Sequence, residues 1–177
     1  MLTGINFSPP LYFLVNFCLQ LIFPTSIEQL RIQSLAFIII GIILSFLITR
    51  KIFGTTIAFF STILVVSQSN ILLSQAQEAR HYAMFFACGA WVLYMQCLSD
   101  FTVNKFKWLI FISHLCLCQV HYLGIIFSLL SGTAYFLKSK NKGFWHRIPM
   151  SITLCWFVSI FSYLFYLNRQ KSVLNTW

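Results

Sequence analysis

Charged side chains are scarce in this sequence, and that scarcity excludes an ordinary water-soluble domain. Asp, Glu, Lys and Arg make up 8% of the 177 residues, where about 25% is usual in soluble proteins. Hydrophobic residues make up 59%, and the mean hydropathy is +0.81. Twelve basic and three acidic side chains cannot form the hydrated shell that a soluble domain of this size needs. The composition therefore predicts a multi-pass integral membrane protein.

Several signatures of common chemistry are also missing. The six cysteines show no C-x-x-C spacing, and there is no Gly-rich phosphate loop, H-E-x-x-H or G-x-S-x-G. A net charge of +9 could favour nucleic acid, but the basic residues lie in short clusters between apolar runs, such as Arg50-Lys51 and 138–147. The positive-inside rule produces this distribution, so we expect no nucleic-acid partner.

The lengths of the apolar runs predict an all-α, polytopic fold in a single transmembrane domain over residues 1–177. The run Leu11–Phe23 has 13 residues between prolines, whereas a span needs about 20. Asn16 and Gln20 give it one polar stripe, so we expect an interfacial helix over residues 10–23. Six spans are expected at residues 32–49, 55–73, 79–98, 108–120, 123–137 and 148–167.

The charge bias orients these spans. With Arg50-Lys51 inside, eight of the twelve basic residues fall in cytoplasmic loops. The opposite face then collects the unusual polar segments 8–10, 75–82 and 121–122, which predicts one extracytoplasmic site. A small transporter would instead need paired charges near the middle of the bilayer, and here the ionisable residues lie at the ends of the spans.

Glu78 and Arg80 are the candidate ionisable site residues in segment 75–82. Ser74 followed by Gln77 fits a capping box, which places Glu78 in the first turn of a helix. Arg80 lies about 200° from Glu78 around that helix, so each side chain needs a different partner. Two simpler interpretations remain open: Arg80 can extend to lipid headgroups, and His121 can be a hydrogen-bonded structural group.

Five short elements occur in order along the chain. They are Ser-Pro-Pro-Leu-Tyr at 8–12, Leu-Arg-Ile-Gln-Ser-Leu at 30–35, Arg-Lys-Ile-Phe-Gly at 50–54, Gln-Glu-Ala-Arg-His-Tyr-Ala at 77–83 and His-Tyr-Leu-Gly at 121–124. Together they resemble the H-P-P-L-Y, L-R-L-P-S-L, R-R-L-F-G, Q-E-A-R-x-Y-A and T-H-Y-F-G elements of the C-type membrane glycosyltransferases. That superfamily includes the protein O-mannosyltransferases and the lipid A aminoarabinose transferases.

The resemblance implies transfer of a sugar from a polyprenyl-phosphate donor, with inversion, to an acceptor on the extracytoplasmic side. A carboxylate base assists the attack, and a divalent cation or basic side chains stabilise the departing phosphate. The family motif places Glu78 at a helix start that lines the donor region, and we take it as the candidate catalytic residue because it is the carboxylate left on the outer face; no metal ligand is assigned. The donor and its phosphate would contact Arg80, Tyr82, His121, Tyr122 and Tyr12.

The implied setting is a bacterial cytoplasmic membrane, with the site facing the periplasm or exterior. The implied partners are membrane lipid, a lipid-linked sugar donor and an acceptor that the sequence does not identify.

The sequence departs from the family pattern at two places, and these departures lead to a second hypothesis. Phe7-Ser8 replaces the His or acidic residue beside Pro-Pro, which weakens a metal site there. The family's first outer loop carries the acidic catalytic residue, and no carboxylate precedes Glu28 here. We therefore expect either the central portion of a larger enzyme or a catalytically inactive membrane-interaction protein that keeps the fold.

Overall fold

The computed structural model describes residues 10–23, 26–67, 81–98 and 106–138, together with 159–161 and 164. Within these ranges all regular structure is helical, which confirms the all-α expectation for this part of the chain. The helices are α1 (Pro10–Gln20), α2 (Ile27–Phe53), α3 (Thr55–Ser67), α4 (Tyr82–Leu98), α5 (Phe106–Val120) and α6 (Leu123–Lys138).

Helix α2 is longer than the expected span over 32–49, because both of its ends are capped. Ser26 is extended (φ −132°), and its hydroxyl oxygen accepts the backbone N–H of Gln29 at 3.1 Å. Ser followed three residues later by Gln is a capping-box pattern. At the other end Gly54 has φ 90° and donates its N–H to the Arg50 carbonyl at 3.0 Å. Glycine reaches this left-handed region without the steric cost that a Cβ brings.

The helices alternate in direction. Ile38 packs with Ala83, and the Lys51 amine donates to the Cys97 carbonyl, so α2 and α4 run parallel. Helix α3 packs back on α2, and the turn between α5 and α6 lies against the start of α4. The starts of α2, α4 and α6 therefore share one end of the bundle, which we call the ring end.

The outer surface carries many large apolar side chains, and the interior combines small and polar residues with aliphatic ones such as Leu117 and Val92. Among the residues whose side chains the structure describes, no Phe, Tyr or Trp is buried, whereas Phe60 and Leu64 are 65% and 64% exposed. The buried positions include several alanines, serines and glycines, with His114 fully enclosed. Gly41 leaves room for the Phe86 ring to pack against the backbone of α2, since a Cβ at this position would lie 2.4 Å from that ring.

Helix α2 is the one helix among the described residues with the length and apolarity to cross a membrane. The other apolar helices span 10–17 residues. The expected span at 148–167 lies outside the described residues except for 159–161 and 164, and so do residues 68–73 and 79–80 of two other expected spans. The six-span arrangement therefore stays a prediction.

Candidate functional site

Rings from three separated segments meet at the ring end. His81 lies at their centre: its centroid is 4.5 Å from that of Tyr82, 4.9 Å from His121 and 6.1 Å from Tyr12. Tyr122 stands beside His121 at 4.3 Å. We call these five side chains the ring cluster. Four of its members are sequence-predicted site residues, and the structure brings all four together.

The imidazole of His121 is buried, whereas the phenol rings of Tyr82 and Tyr122 are exposed. His121 is 4% exposed and has His81, Tyr82 and Phe85 within 5.6 Å, measured between ring centroids. Tyr82 and Tyr122 are 38% and 53% exposed. The cluster thus presents two accessible phenols beside an enclosed imidazole, and each of these three side chains carries a hydrogen-bond donor.

Residues 121–124 form a tight turn that fixes His121. Its Nδ1 accepts the N–H of Leu123 at 3.0 Å, and its carbonyl accepts the N–H of Gly124 at 2.8 Å. A Cβ on Gly124 would lie 2.1 Å from the Leu117 carbonyl oxygen. Only glycine allows α6 to turn back this closely on α5, which explains the glycine of the His-Tyr-Leu-Gly element.

The turn also determines the tautomer of His121. Because Nδ1 accepts a hydrogen bond, the proton of the neutral imidazole lies on Nε2. A histidine that binds a metal through Nε2 donates from Nδ1 instead, so this geometry favours a hydrogen-bond donor over a metal ligand. Burial lowers the pKa of His121 below its usual value. At neutral pH the group is uncharged and offers one N–H.

The predicted ionisable pair cannot be placed. Glu78 and Arg80 lie outside the described residues, so their roles stay predictions. The five side chains of the ring cluster are imidazoles and phenols, and the described acidic residue, Glu28, is not among them, although it lies in the first turn of α2 at the same end of the bundle. In this part of the chain no group of three or more His, Cys, Asp or Glu side chains could hold a metal ion.

An open apolar groove of about 480 Å³ runs along α1, the helix that carries Tyr12. Gln119 of α5 supplies its one polar side chain, and the amide of Gln119 donates to Ser159 at 3.3 Å. The groove suits a hydrocarbon chain better than a polar ligand. Its apolar lining comes from Leu11, Phe13, Leu14 and Phe17.

The sequence patterns did not predict a role for His81, and they did not predict one for two other polar residues, His114 and Gln33. His114 joins three helices: its Nδ1 lies 2.6 Å from the Ser128 hydroxyl, and its Nε2 lies 3.3 Å from the Gln96 amide nitrogen. Gln33 of α2 is buried at the ring end. A signal existed for two of the three residues: His81 adjoins Tyr82, and Gln33 replaces the proline of the resembled L-R-L-P-S-L element.

Comparison with known protein families, with curated proteins and with solved structures finds no match to this chain.

Proposed function

We propose that this chain is a multi-pass membrane protein that binds a polyprenyl-phosphate sugar at the ring cluster and transfers the sugar to an acceptor on the extracytoplasmic side. One observation carries the proposal. The three segments that supply the ring cluster each belong to a glycosyltransferase-like element: Tyr12 to 8–12, His81 and Tyr82 to 77–83, and His121 and Tyr122 to 121–124.

The membrane setting is supported by the surface of the bundle. Helix α3 exposes four large apolar side chains, those of Phe59, Phe60, Ile63 and Leu64. Soluble proteins rarely expose such contiguous apolar patches to water. Lipid tails solvate these side chains. The buried serines and His114 then match the interior of membrane helix bundles, where small residues and interhelical hydrogen bonds hold helices together.

The ring cluster has the donors that a lipid-linked phosphate needs. The Nε2–H of His121 and the hydroxyls of Tyr82 and Tyr122 can donate to phosphate oxygens, and charge-assisted bonds of this kind are stronger than neutral ones. Arg80 would add a positive charge and a planar fork of donors. The groove along α1 would hold the isoprenoid chain next to that headgroup.

The proposed reaction is a single displacement. The acceptor hydroxyl attacks the anomeric carbon, its proton passes to the carboxylate of Glu78, and a new C–O bond forms. The bond between the anomeric carbon and phosphate breaks with inversion, and polyprenyl phosphate leaves. General-base assistance of this kind contributes roughly 10²–10⁴-fold.

A second candidate, donor binding without transfer, is favoured by the lack of a carboxylate before Glu28, where the resembled family carries its acidic catalytic residue. In that case the chain would be an inactive relative that binds lipid-linked sugars. Donor binding and turnover separate the two candidates, so both must be measured.

The test uses the whole chain in nanodiscs with a set of polyprenyl-phosphate sugars and candidate acceptors. We expect Tyr82→Phe and His121→Ala to weaken donor binding severalfold. Tyr94→Phe is the matched control, since Tyr94 lies about 18 Å further along α4. Turnover that disappears in Glu78→Gln supports the enzyme, and saturable binding without turnover supports the second candidate. A wild-type chain that binds none of the donors would overturn both.

A further inference from the structure

Gln33 is a buried amide that nothing in the described chain satisfies. It is 9% exposed, and neither its Nε2 nor its Oε1 has a hydrogen-bond partner among the described residues. The neighbouring Ser34 does not supply one, since its hydroxyl donates to the Leu30 carbonyl at 2.9 Å. Buried polar side chains are almost always paired, so this amide needs an explanation.

Packing alone does not explain a glutamine at this position. An unpaired amide in an apolar setting is unfavourable, and an apolar side chain of the same shape would be neutral or better. Gln33 therefore reduces the stability of the ligand-free protein. A bound group that pairs with both amide atoms would remove that penalty.

The position of Gln33 points to the ring cluster. Gln33 lies four residues before Phe37, on the same side of α2 and one turn nearer the ring end. Phe37 packs against both apolar clusters, which include Ala83 and Met84 at the start of α4. Because α4 begins there at Tyr82, directly after His81, the Gln33 amide is enclosed at the end of the bundle that holds the proposed donor site.

A second unsatisfied atom is found on α1. The Oδ1 of Asn16 is buried without a partner within the described ranges. Asn16 lies one turn along α1 from Tyr12, on the same side of the helix. Helix α1, which carries Tyr12, and helix α2 thus each bury an amide oxygen that has no partner within the described ranges.

The proposed donor has three parts: an isoprenoid chain, a phosphate and a sugar. The hydrogen-bonding groups of an amide determine which part can pair with Gln33. Nε2 donates and Oε1 accepts. An isoprenoid chain can do neither, and a phosphate can accept from Nε2 but would leave Oε1 facing negative oxygens. A sugar carries hydroxyls that both donate and accept, so it can satisfy both atoms of Gln33 at once.

We propose that Gln33 is a specificity-determining residue that hydrogen-bonds hydroxyl groups of the sugar on the lipid-linked donor. This inference rests on the proposed function and adds to it. The ring cluster binds the phosphate, and the buried amide of Gln33 forms hydrogen bonds with the sugar. Gln33 takes no part in proton transfer. Its contribution is to discriminate the glycosylated lipid from the same lipid without a sugar.

The experiment compares two ligands, a polyprenyl-phosphate sugar and the matching polyprenyl phosphate, on the whole chain in nanodiscs. Gln33→Met keeps the length of the side chain and removes both hydrogen-bonding atoms. We expect it to weaken binding of the sugar donor by roughly thirtyfold, the loss of about two neutral hydrogen bonds. Binding of polyprenyl phosphate should not change. Gln20→Met, at an exposed position of α1, should change neither.

A stability measurement separates binding from a purely structural role. Without ligand, Gln33→Met should melt at the same temperature as the wild type or higher, because an unpaired amide is removed. Gln33→Leu provides a second apolar variant with the same expectation. A clear loss of thermal stability in both variants would show that the chain itself pairs the amide, and the inference would be wrong.

The outcomes distinguish this inference from the proposed function. If the wild type binds both lipids and Gln33→Met weakens them equally, or weakens neither, the inference fails and the proposed function stands. If the wild type binds neither lipid, the proposed function fails and the role of Gln33 fails with it.

Discussion

The imidazole of His81 stacks on that of His121, with ring centroids 4.9 Å apart and planes inclined by 27°. This contact joins the start of α4 to the turn between α5 and α6. Two positively charged imidazoles at that separation would repel each other. The stack is therefore compatible with neutral His121, whose Nδ1 accepts the Leu123 N–H and whose Nε2–H remains a donor.

The stability of the ring end should depend on pH through His121. Burial lowers the pKa of His121 in the folded protein below the usual value of 6.5. The unfolded chain then binds a proton more readily than the folded one. The contribution of His121 is complete above about pH 6.5 and is lost as pH falls through the lower, folded-state pKa. Melting temperatures in detergent, recorded from neutral to mildly acidic pH, measure this loss of stability.

A variant isolates His121 from the other titratable rings of the cluster, which are His81, Tyr12, Tyr82 and Tyr122. In His121→Asn the amide oxygen can still accept a backbone N–H in the turn, but the side chain does not titrate. The acid-dependent loss should become smaller in this variant. A wild-type melting temperature that rises on acidification would contradict the assignment.

Gly124→Ala should destabilise the hairpin of α5 and α6. The added Cβ would lie 2.1 Å from the Leu117 carbonyl oxygen, and relieving such an overlap costs about 1–3 kcal/mol. Gly89→Ala is the matched control, since the nearest atom to its Cβ would be 4.0 Å away on the Phe127 ring. Melting temperatures of the two variants in nanodiscs provide the comparison. Equal effects would show that the turn tolerates a side chain.

Ser128→Ala should weaken the contact among α4, α5 and α6. It leaves the buried Nδ1 of His114 without the hydroxyl that lies 2.6 Å away, and such a loss costs about 1 kcal/mol. Ser131→Ala is the control, because the Ser131 hydroxyl donates only to the Ser128 carbonyl of its own helix. Chemical or thermal unfolding of both variants measures the difference. If the Ser128→Ala protein is as stable as the Ser131→Ala protein, the hydrogen bond between His114 and Ser128 does not stabilise the fold.

The two ends of the bundle should face opposite sides of the membrane. Tyr122 lies at the ring end, and Arg50 lies at the opposite end of α2 beside Gly54. Single cysteines at these positions, in a background without the native cysteines, should react with a membrane-impermeant thiol reagent from different faces. Reaction of both from one face would contradict the predicted topology.

Local sequence patterns predicted the helices better than they predicted the contacts. Helices α5 and α6 occupy the apolar runs 108–120 and 123–137, because a turn with glycine separates them. Helix α2 starts earlier than the apolar run predicts, because Ser26 and Gln29 cap it and the run shows only where the span becomes apolar.

The site was predictable in outline and not in detail. Charge bias and motif order pointed to Tyr12, Tyr82, His121 and Tyr122. The central position of His81 depends on how α4 packs against the α5–α6 turn, and no spacing along the chain encodes that packing. The unpaired amide of Gln33 depends on tertiary packing for the same reason.

Photolabelling with a polyprenyl-phosphate sugar tests the central claim, that the ring cluster is a lipid-linked sugar site, most directly. Two probes are needed, one with a diazirine next to the phosphate and one with a diazirine in the isoprenoid chain, each competed with unlabelled donor. We predict saturable labelling of 81–82 or 121–122 by the first probe and of Leu14 or Phe17 by the second. Labelling that unlabelled donor cannot displace, spread over the exposed apolar face of α3, would contradict the claim.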